Sequence, residues 1–272
     1  MSIVLKRATL AFVLAACTAC AAQAPVTAPP AATANEPVYL SPEQIDSVAL
    51  LEPPPAEGSD AARGDLQAVL AAQRAAHAAG STARAAGDAA ISCERFADAL
   101  VVSPAAPNPD AKSALAAGDG AVAMAFATRA ALQAAAASWA AKRYWQRPRP
   151  YIVSAEVERL GDVAPDNPMP AEAVLERDHT SYPSGHAAFG MACAIVLAQM
   201  VPERRAALFA RSRVYGESRV IIGAHYPTYV EAGRVIGAAA AAVMLRNSQF
   251  QSDLRSSRAA LRAALRLSAA SP

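Results

Sequence analysis

The sequence predicts an all-α fold, a single-domain helical bundle, and three observations carry that prediction. Hydrophobic residues make up 54% of the 272-residue chain, and much of that share is alanine in runs such as Ala134–Ala137, the residue with the highest helix propensity. No stretch shows the apolar and polar alternation of a half-buried strand. Helix-start signals recur, with Ser or Thr placed just ahead of apolar-periodic segments. At this length one compact domain is the default.

Taken in order, residues 1–22 read as an export signal: Lys6 and Arg7 form a basic start, Ala8–Ala16 an apolar run, and small residues follow. Leu14-Ala15-Ala16-Cys17 resembles a bacterial lipobox, in which Cys17 would be acylated and become the mature N-terminus. Cleavage after Ala22 or Ala24 competes with it. Residues 23–37, rich in Ala, Pro and Thr with almost no charge, predict a tether, and the folded domain is expected over 38–268.

Ser41-Pro42-Glu43-Gln44 combines an N-cap, Pro at the first helical position and Gln at the third, so a short helix is predicted there. Pro53-Pro54-Pro55 cannot be helix interior, and Ser59 opens a helix to about His77. Further helices are predicted over about 84–101, 109–118 and 121–145. From Pro148 to about Tyr182 the chain carries Pro150, Gly161, Pro165, Pro168 and Pro170, which predict a long irregular excursion of the kind that usually serves function. Helices follow over about 185–200, 203–216, 229–246 and 248–267, the third opened by a Thr228/Glu231 capping box. Residues 185–201 lack acidic and basic side chains but include His186 and fall short of the ~20 residues of a membrane span, so a buried core helix is predicted.

Charge narrows the partners. With 25 Lys and Arg against 23 Asp and Glu the net charge is +2, too balanced to follow a nucleic acid. Loss of residues 1–16 removes Lys6 and Arg7, and 2 − 2 leaves a mature chain near neutrality. Four cysteines exclude a small disulfide-stapled scaffold, and no Cys-x-x-Cys pair suggests a metal. In an oxidising compartment Cys93 and Cys193 could pair, closing a loop of about 100 residues worth up to ~4.7 kcal/mol; two buried free thiols are the other reading.

Three segments concentrate unusual residues: Lys142–Pro150 (KRYWQRPRP), Tyr182–His186 (YPSGH), and Ser218-Arg219 followed by His225. Lys142 and Arg149 flank a helix end, where an ammonium and a guanidinium fork are natural receptors for phosphate oxygens. Ser184-Gly185-His186 sits where the long loop turns into the apolar helix, so the Ser184 hydroxyl and the Gly185 backbone N–H would meet an anion. His186 lies one step inside, placed to donate a proton to a leaving group. Arg219 offers another fork, and His225 an imidazole nucleophile. Taken singly, each segment also fits a solvated helix end, a plain helix cap or a turn histidine.

Together they form the ordered pattern K-x(6)-R-P at Lys142–Pro150, P-S-G-H at Pro183–His186 and S-R-x(5)-H at Ser218–His225. With it the chain resembles the bacterial class A non-specific acid phosphatases of the phosphatidic acid phosphatase type 2 superfamily. The likeness extends to Tyr39-Leu40, Leu50–Pro55 with Gly58-Ser59, and Val230–Arg234, and spans roughly Val38–Leu265. The resemblance implies the helical fold of the acid phosphatase and vanadium-dependent haloperoxidase type, and a two-step, metal-independent transfer through a phosphohistidine, with no cofactor. His225 would be the nucleophile and His186 the acid, while Lys142, Arg149, Arg219, the Ser184 hydroxyl and the Gly185 N–H would hold the phosphate. Small phosphate monoesters are the implied partners, nucleotides, sugar or aryl phosphates among them, at low pH and with broad range. A vanadium-dependent haloperoxidase and an integral-membrane lipid phosphatase fit the chain less well.

One position departs from the pattern. The family continues H-x(3)-D, whereas the fourth residue after His225 is Tyr229. The missing carboxylate would orient the nucleophilic imidazole and stabilise its charge, as in a Ser-His-Asp triad, so a catalytically impaired phosphate-binding homologue is the alternative. A Tyr229 oxygen accepting the imidazole N–H, or rescue by Glu231, would preserve orientation. Tyr144, Trp145, Tyr151 and Tyr182 are expected to pack the core rather than line a pocket. The small-residue faces around Gly237–Val243 would permit close packing within or between subunits, so a homo-oligomer is compatible with the sequence. A membrane contact is expected only through a lipid on Cys17.

Overall fold

The computed structural model describes residues 38–101, 110–161 and 171–268; the expected signal over 1–22, Cys17 and the tether over 23–37 lie outside them. Helices of seven residues or more run in the order α1 (Asp60–Ala78), α2 (Gly118–Ala136), α3 (Trp139–Trp145), α4 (Ala171–Asp178), α5 (Gly185–Met200), α6 (Arg205–Ile221), α7 (Pro227–Met244) and α8 (Ser248–Ala264). Among the described residues there is no strand, so the fold is all-α.

The centre of the bundle is α5, apolar on every side, as expected of a helix enclosed by neighbours. It packs against α7, α6 and α2, and α8 closes over α2. Two glycines of α7 set the closest approach. A Cβ on Gly233 would stand 2.2 Å from the Ser184 carbonyl oxygen, and one on Gly237 2.3 Å from that of Ala188, so α7 lies directly on the first turns of α5. The chain's other end is tied in by Tyr39, whose ring meets Phe126 of α2 and Phe250 of α8 at 5.7 and 5.3 Å. Its hydroxyl donates to Asp253 at 2.7 Å.

Several boundaries differ from expectation for local reasons. The capping sequence at Ser41 forms only a 3-10 turn, Pro42–Gln44, before a single helical turn Ser47–Leu50 capped by Asp46. The expected helix over 84–101 breaks into Thr82–Gly87, a 3-10 turn Cys93–Phe96 and Ala97–Val101. Between the first two, Asp88 is fully buried and bound to Arg211 and Ser218, and Ser92 caps the new turn through the Glu94 N–H at 3.1 Å. The expected helix over 109–118 is Ala111–Leu115. The expected helix over 121–145 divides at Ala137–Ser138, where the Ser138 hydroxyl donates back to the Ala135 carbonyl at 2.6 Å and competes with the helical ladder.

The excursion after Pro148 is less irregular than expected. It holds a helical turn, Pro150–Val153, and α4. The helix expected over 203–216 runs on to Ile221 as α6, which carries Ser218 and Arg219 within its last turn. At α7 the Thr228/Glu231 capping box does not form. Pro227 occupies the first helical position behind Tyr226, the Thr228 hydroxyl donates to Asp65, and Glu231 pairs with Arg234. Asn247 caps α8 at the Phe250 N–H, 3.0 Å away.

The structure joins Cys93 and Cys193 in a disulfide, Cα to Cα 6.0 Å, tying the 3-10 turn to the middle of α5. By length and composition Gly118–Val153 is apolar enough to cross a membrane, with a mean hydropathy of 1.2. Half of that window is buried inside the bundle, including Ala123, Met124, Phe126 and Ala127, as in the core helix of a globular protein.

Candidate active site

The chain brings its three unusual segments to one end of the bundle. α3 ends because Gln146 takes a left-handed backbone conformation, φ 44°, leaving Lys142 in its last turn. Lys142 is buried, and its Nζ donates to the Thr180 carbonyl at 2.7 Å. Arg149 opens the Pro150–Val153 turn. Its backbone N–H donates to the Asp178 carbonyl at 2.9 Å, its Nε to that of Arg177 at 2.9 Å and its Nη1 to that of Ala224 at 3.1 Å. These bonds pin the guanidinium between the end of α4 and the loop that carries His225.

Ser184 caps α5. Its hydroxyl accepts the Ala187 N–H at 3.3 Å, and its own N–H donates to the Tyr229 carbonyl at 2.9 Å. A Cβ on the next residue, Gly185, would lie 3.6 Å from the Ser138 hydroxyl and 3.7 Å from Lys142 Cε, so backbone and ammonium approach each other closely here. Arg219 is 1% exposed and His225 2%, and the His225 N–H bonds the Arg219 carbonyl at 3.2 Å.

The histidines have assignable tautomers. His225 Nδ1 stands 2.8 Å from the Ser181 carbonyl and 3.1 Å from the Ser181 hydroxyl, which itself donates to the Ala224 carbonyl. A carbonyl can only accept, so Nδ1 carries the hydrogen and Nε2 keeps its lone pair. His186 Nε2 stands 3.0 Å from the Ala89 carbonyl, so there Nε2 carries the hydrogen and Nδ1 is the other face.

Electrostatics bind these residues into one unit. Burial, then the positive charges of Arg149, Lys142 and Arg219, and then His186, hold the His225 imidazole well below its usual range. Burial followed by Arg149 and Arg219 does the same to the Lys142 ammonium. Three cations gathered about a neutral imidazole suit a multiply charged anion, whose arrival would relieve the repulsion among them. Among the described residues no three His, Cys, Asp or Glu side chains are grouped to hold a metal ion.

Tyr229 does not reach the imidazole. Its hydroxyl accepts from Arg147 Nε at 3.2 Å, and its ring sits edge-on to Tyr182 and Tyr226, 5.0 Å from each. Arg147 is itself held by the Pro55 carbonyl at 2.7 Å and by Glu57 at 3.4 Å. Glu231 is occupied by Arg234. The orienting contacts to His225 therefore come from Ser181, a residue that sequence reasoning missed because a backbone carbonyl leaves no signature. Tyr229 instead walls a separate cavity of about 310 Å³ with Pro55, Asp65, Leu66, Arg147 and Tyr226.

Of the other aromatics, Tyr182 is buried and donates to the Glu52 carbonyl at 2.5 Å, and Trp145 and Tyr151 are partly buried against the core. Tyr144 departs from expectation: it is 64% exposed at the end of α3, its ring edge-on to Trp145.

Fold and site together define an all-helical protein with Lys142, Arg149, Arg219 and His225 buried together near the N-terminal end of its central helix. Residues 120–253 match the PAP2 superfamily, and part of the chain is similar to acid phosphatases. It is 36% identical over 118 residues to a non-specific acid phosphatase of Salmonella typhimurium, covering 43% of this chain and 44% of that one. It is 31% identical over 134 residues to an acid phosphatase of Zymomonas mobilis, covering 48% and 46%, and 41% identical over 75 residues to a non-specific acid phosphatase of Providencia stuartii, covering 28% and 30%. The matched segments thus span less than half the length of these relatives.

Proposed function

We propose that the chain is an exported acid phosphatase that hydrolyses small phosphate monoesters through a phosphohistidine. The observation that carries this is the convergence of Lys142, Arg149 and Arg219 on an imidazole held neutral, with Nε2 unprotonated. The names of the relatives support the substrate class. Removal from the cytoplasm by the 1–22 signal, with or without a lipid on Cys17, belongs to the same proposal.

In the first step His225 Nε2 attacks phosphorus, the P–N bond forms and the bond to the leaving oxygen breaks. The Nδ1 proton of His186 in its acid form passes to that oxygen, releasing an alcohol. Lys142, Arg149, Arg219 and the Gly185 N–H stabilise the charge on the three phosphoryl oxygens throughout. In the second step water attacks phosphorus, gives a proton back to His186, and the P–N bond breaks to yield phosphate and free His225. A nucleophile depressed by neighbouring cations stays neutral in mild acid, and the first step consumes a proton at His186, so turnover is expected to peak below neutral pH.

The position of Tyr229 favours a second reading, a phosphate-binding protein with impaired turnover. Hydrolysis of p-nitrophenyl phosphate from pH 4 to 8 in the presence of EDTA separates the two. EDTA-resistant turnover that His225→Ala abolishes upholds the phosphatase. Phosphate binding without turnover, with activity appearing in Tyr229→Asp, upholds the impaired homologue.

A further inference from the structure

The turn at Asp88–Ala90 lies outside every motif that the sequence singles out, yet it touches both halves of the site. Asp88 is fully buried. Arg211 on α6 grips its two carboxylate oxygens at 3.0 and 2.5 Å, and Arg95 and Arg84 stand 3.6 and 3.8 Å away. The Ser218 hydroxyl, one residue before Arg219, donates to the same carboxylate at 2.8 Å. The next residue presents its carbonyl to His186 Nε2 at 3.0 Å, and the one after accepts the Tyr215 hydroxyl at 2.9 Å. The Tyr215 ring in turn stacks on the His186 imidazole, centroids 6.1 Å apart. It fits there because Gly190 leaves room: a Cβ would stand 2.7 Å from Tyr215 Cδ1.

Arg211, Tyr215 and Ser218 recur at helical spacing on one face of α6, so a single face holds the turn at Asp88 and at Ala90. The carbonyl between them is thereby fixed where it meets His186 Nε2. A carbonyl acceptor selects the imidazole tautomer with hydrogen on Nε2 and, in the acid form, orients Nδ1–H away from it. This is the work that a buried carboxylate does on a triad histidine, done here at one remove.

We propose that Asp88 is a positioning residue for His186: by locking its turn to α6 it aims the Ala89 carbonyl at Nε2 and so presents Nδ1–H to the leaving oxygen. The proposal rests on the phosphatase reading for its kinetic consequence but not for its structural one. A proton donor matters most when the leaving group is poor, so the effect must grow from an aryl to an alkyl ester, which a merely structural role would not produce.

The test compares kcat and KM for p-nitrophenyl phosphate and glycerol 1-phosphate in the wild type, Asp88→Asn, Tyr215→Phe, His186→Asn and the Asp88→Asn/His186→Asn double variant. Asp88→Asn is expected to lower kcat for the alkyl ester roughly tenfold and for the aryl ester less than about threefold, at similar KM. The double variant should show the same alkyl-to-aryl ratio as His186→Asn. Equal losses on both esters, or a further change of the ratio in the double variant, overturn the proposal. Tyr215→Phe removes one hydroxyl and keeps the ring, so it decides the matter should Asp88→Asn fold poorly: an unchanged ratio overturns it. Imidazole 15N resonances add a readout independent of turnover. His186 should be the Nε2–H tautomer in the wild type and a mixture in both single variants at the turn; no change of tautomer overturns the proposal. Absence of wild-type turnover on either ester would refute the phosphatase reading and leave this readout to judge Asp88.

Discussion

Arg211 and Arg219 stand about two turns apart on α6, yet one meets a carboxylate and the other an imidazole. Arg211 meets the buried carboxylate of Asp88, which also takes Arg84, Arg95 and Ser218, so that charge is matched by charge and lone pairs by donors. Arg219 joins Lys142, Arg149 and two histidines, and the positive charges of this group lower the His225 imidazole. Burying charge is costly unless it is neutralised. The first cluster gathers its cations on a carboxylate and behaves as scaffold; the second gathers them about an imidazole, an arrangement that would also receive an anion.

Breaking each cluster should therefore have different consequences. The largest effect falls on turnover: His225→Ala removes the attacking nitrogen, and hydrolysis should drop by at least ~10³-fold while far-UV circular dichroism stays helical. Next comes Asp88→Ala, which strands Arg211 without a partner. Loss of about 3 kcal/mol is expected, at the low end for a buried pair because Arg84 and Arg95 reach solvent, and for a domain of this size that lowers Tm by roughly 6–12 °C. Lys142→Met, by contrast, removes a buried charge that Arg149 and Arg219 repel and should move Tm of the phosphate-free protein by less than ~3 °C, or raise it, while weakening phosphate binding.

Ligand and pH sharpen the comparison further. Inorganic phosphate at 100 times its Kd should stabilise the wild type by about 2.7 kcal/mol, and Lys142→Met should be stabilised far less; differential scanning calorimetry reads both. His225 carries a depressed value in the folded state, so its contribution to stability is fully present above the unfolded value of about 6.5 and is lost as pH falls below it. Tm of the wild type should fall more steeply than that of His225→Gln between pH 7 and 5, and phosphate should flatten the difference. The smallest effect is expected for Tyr229→Asp. Ser181 already orients the imidazole, so the new carboxylate can add only charge stabilisation, a gain of about tenfold in kcat where loss of a triad aspartate costs ~10⁴.

Much of this was legible in the sequence, and the legible part has a common character. Ser184 and Asn247 act as caps because a short side-chain acceptor ahead of a helix answers to local geometry, although only the first was singled out. The ordered motifs placed Lys142, Arg149, Ser184, His186, Arg219 and His225 together through likeness, and the chain does gather them. What the sequence hid was decided by groups far apart along it. Thr228 and Glu231 have the spacing of a capping box, but Pro227 starts the helix earlier and Asp65, 163 residues away, claims the Thr228 hydroxyl. The helix expected across 84–101 yields to a carboxylate at Asp88 whose partners lie on α6. Ser181 acts on His225 through its carbonyl, an atom every residue possesses.

The most direct test of the cluster around His225 as a phosphoryl-transfer site is an acid-labile, base-stable label on the protein. The enzyme would be mixed with 32P-labelled substrate at mildly acidic pH, quenched rapidly in base, and digested. A label on the peptide carrying His225, absent from His225→Ala, is the predicted result. Turnover with no such label, or a label that persists in His225→Ala, would contradict the account.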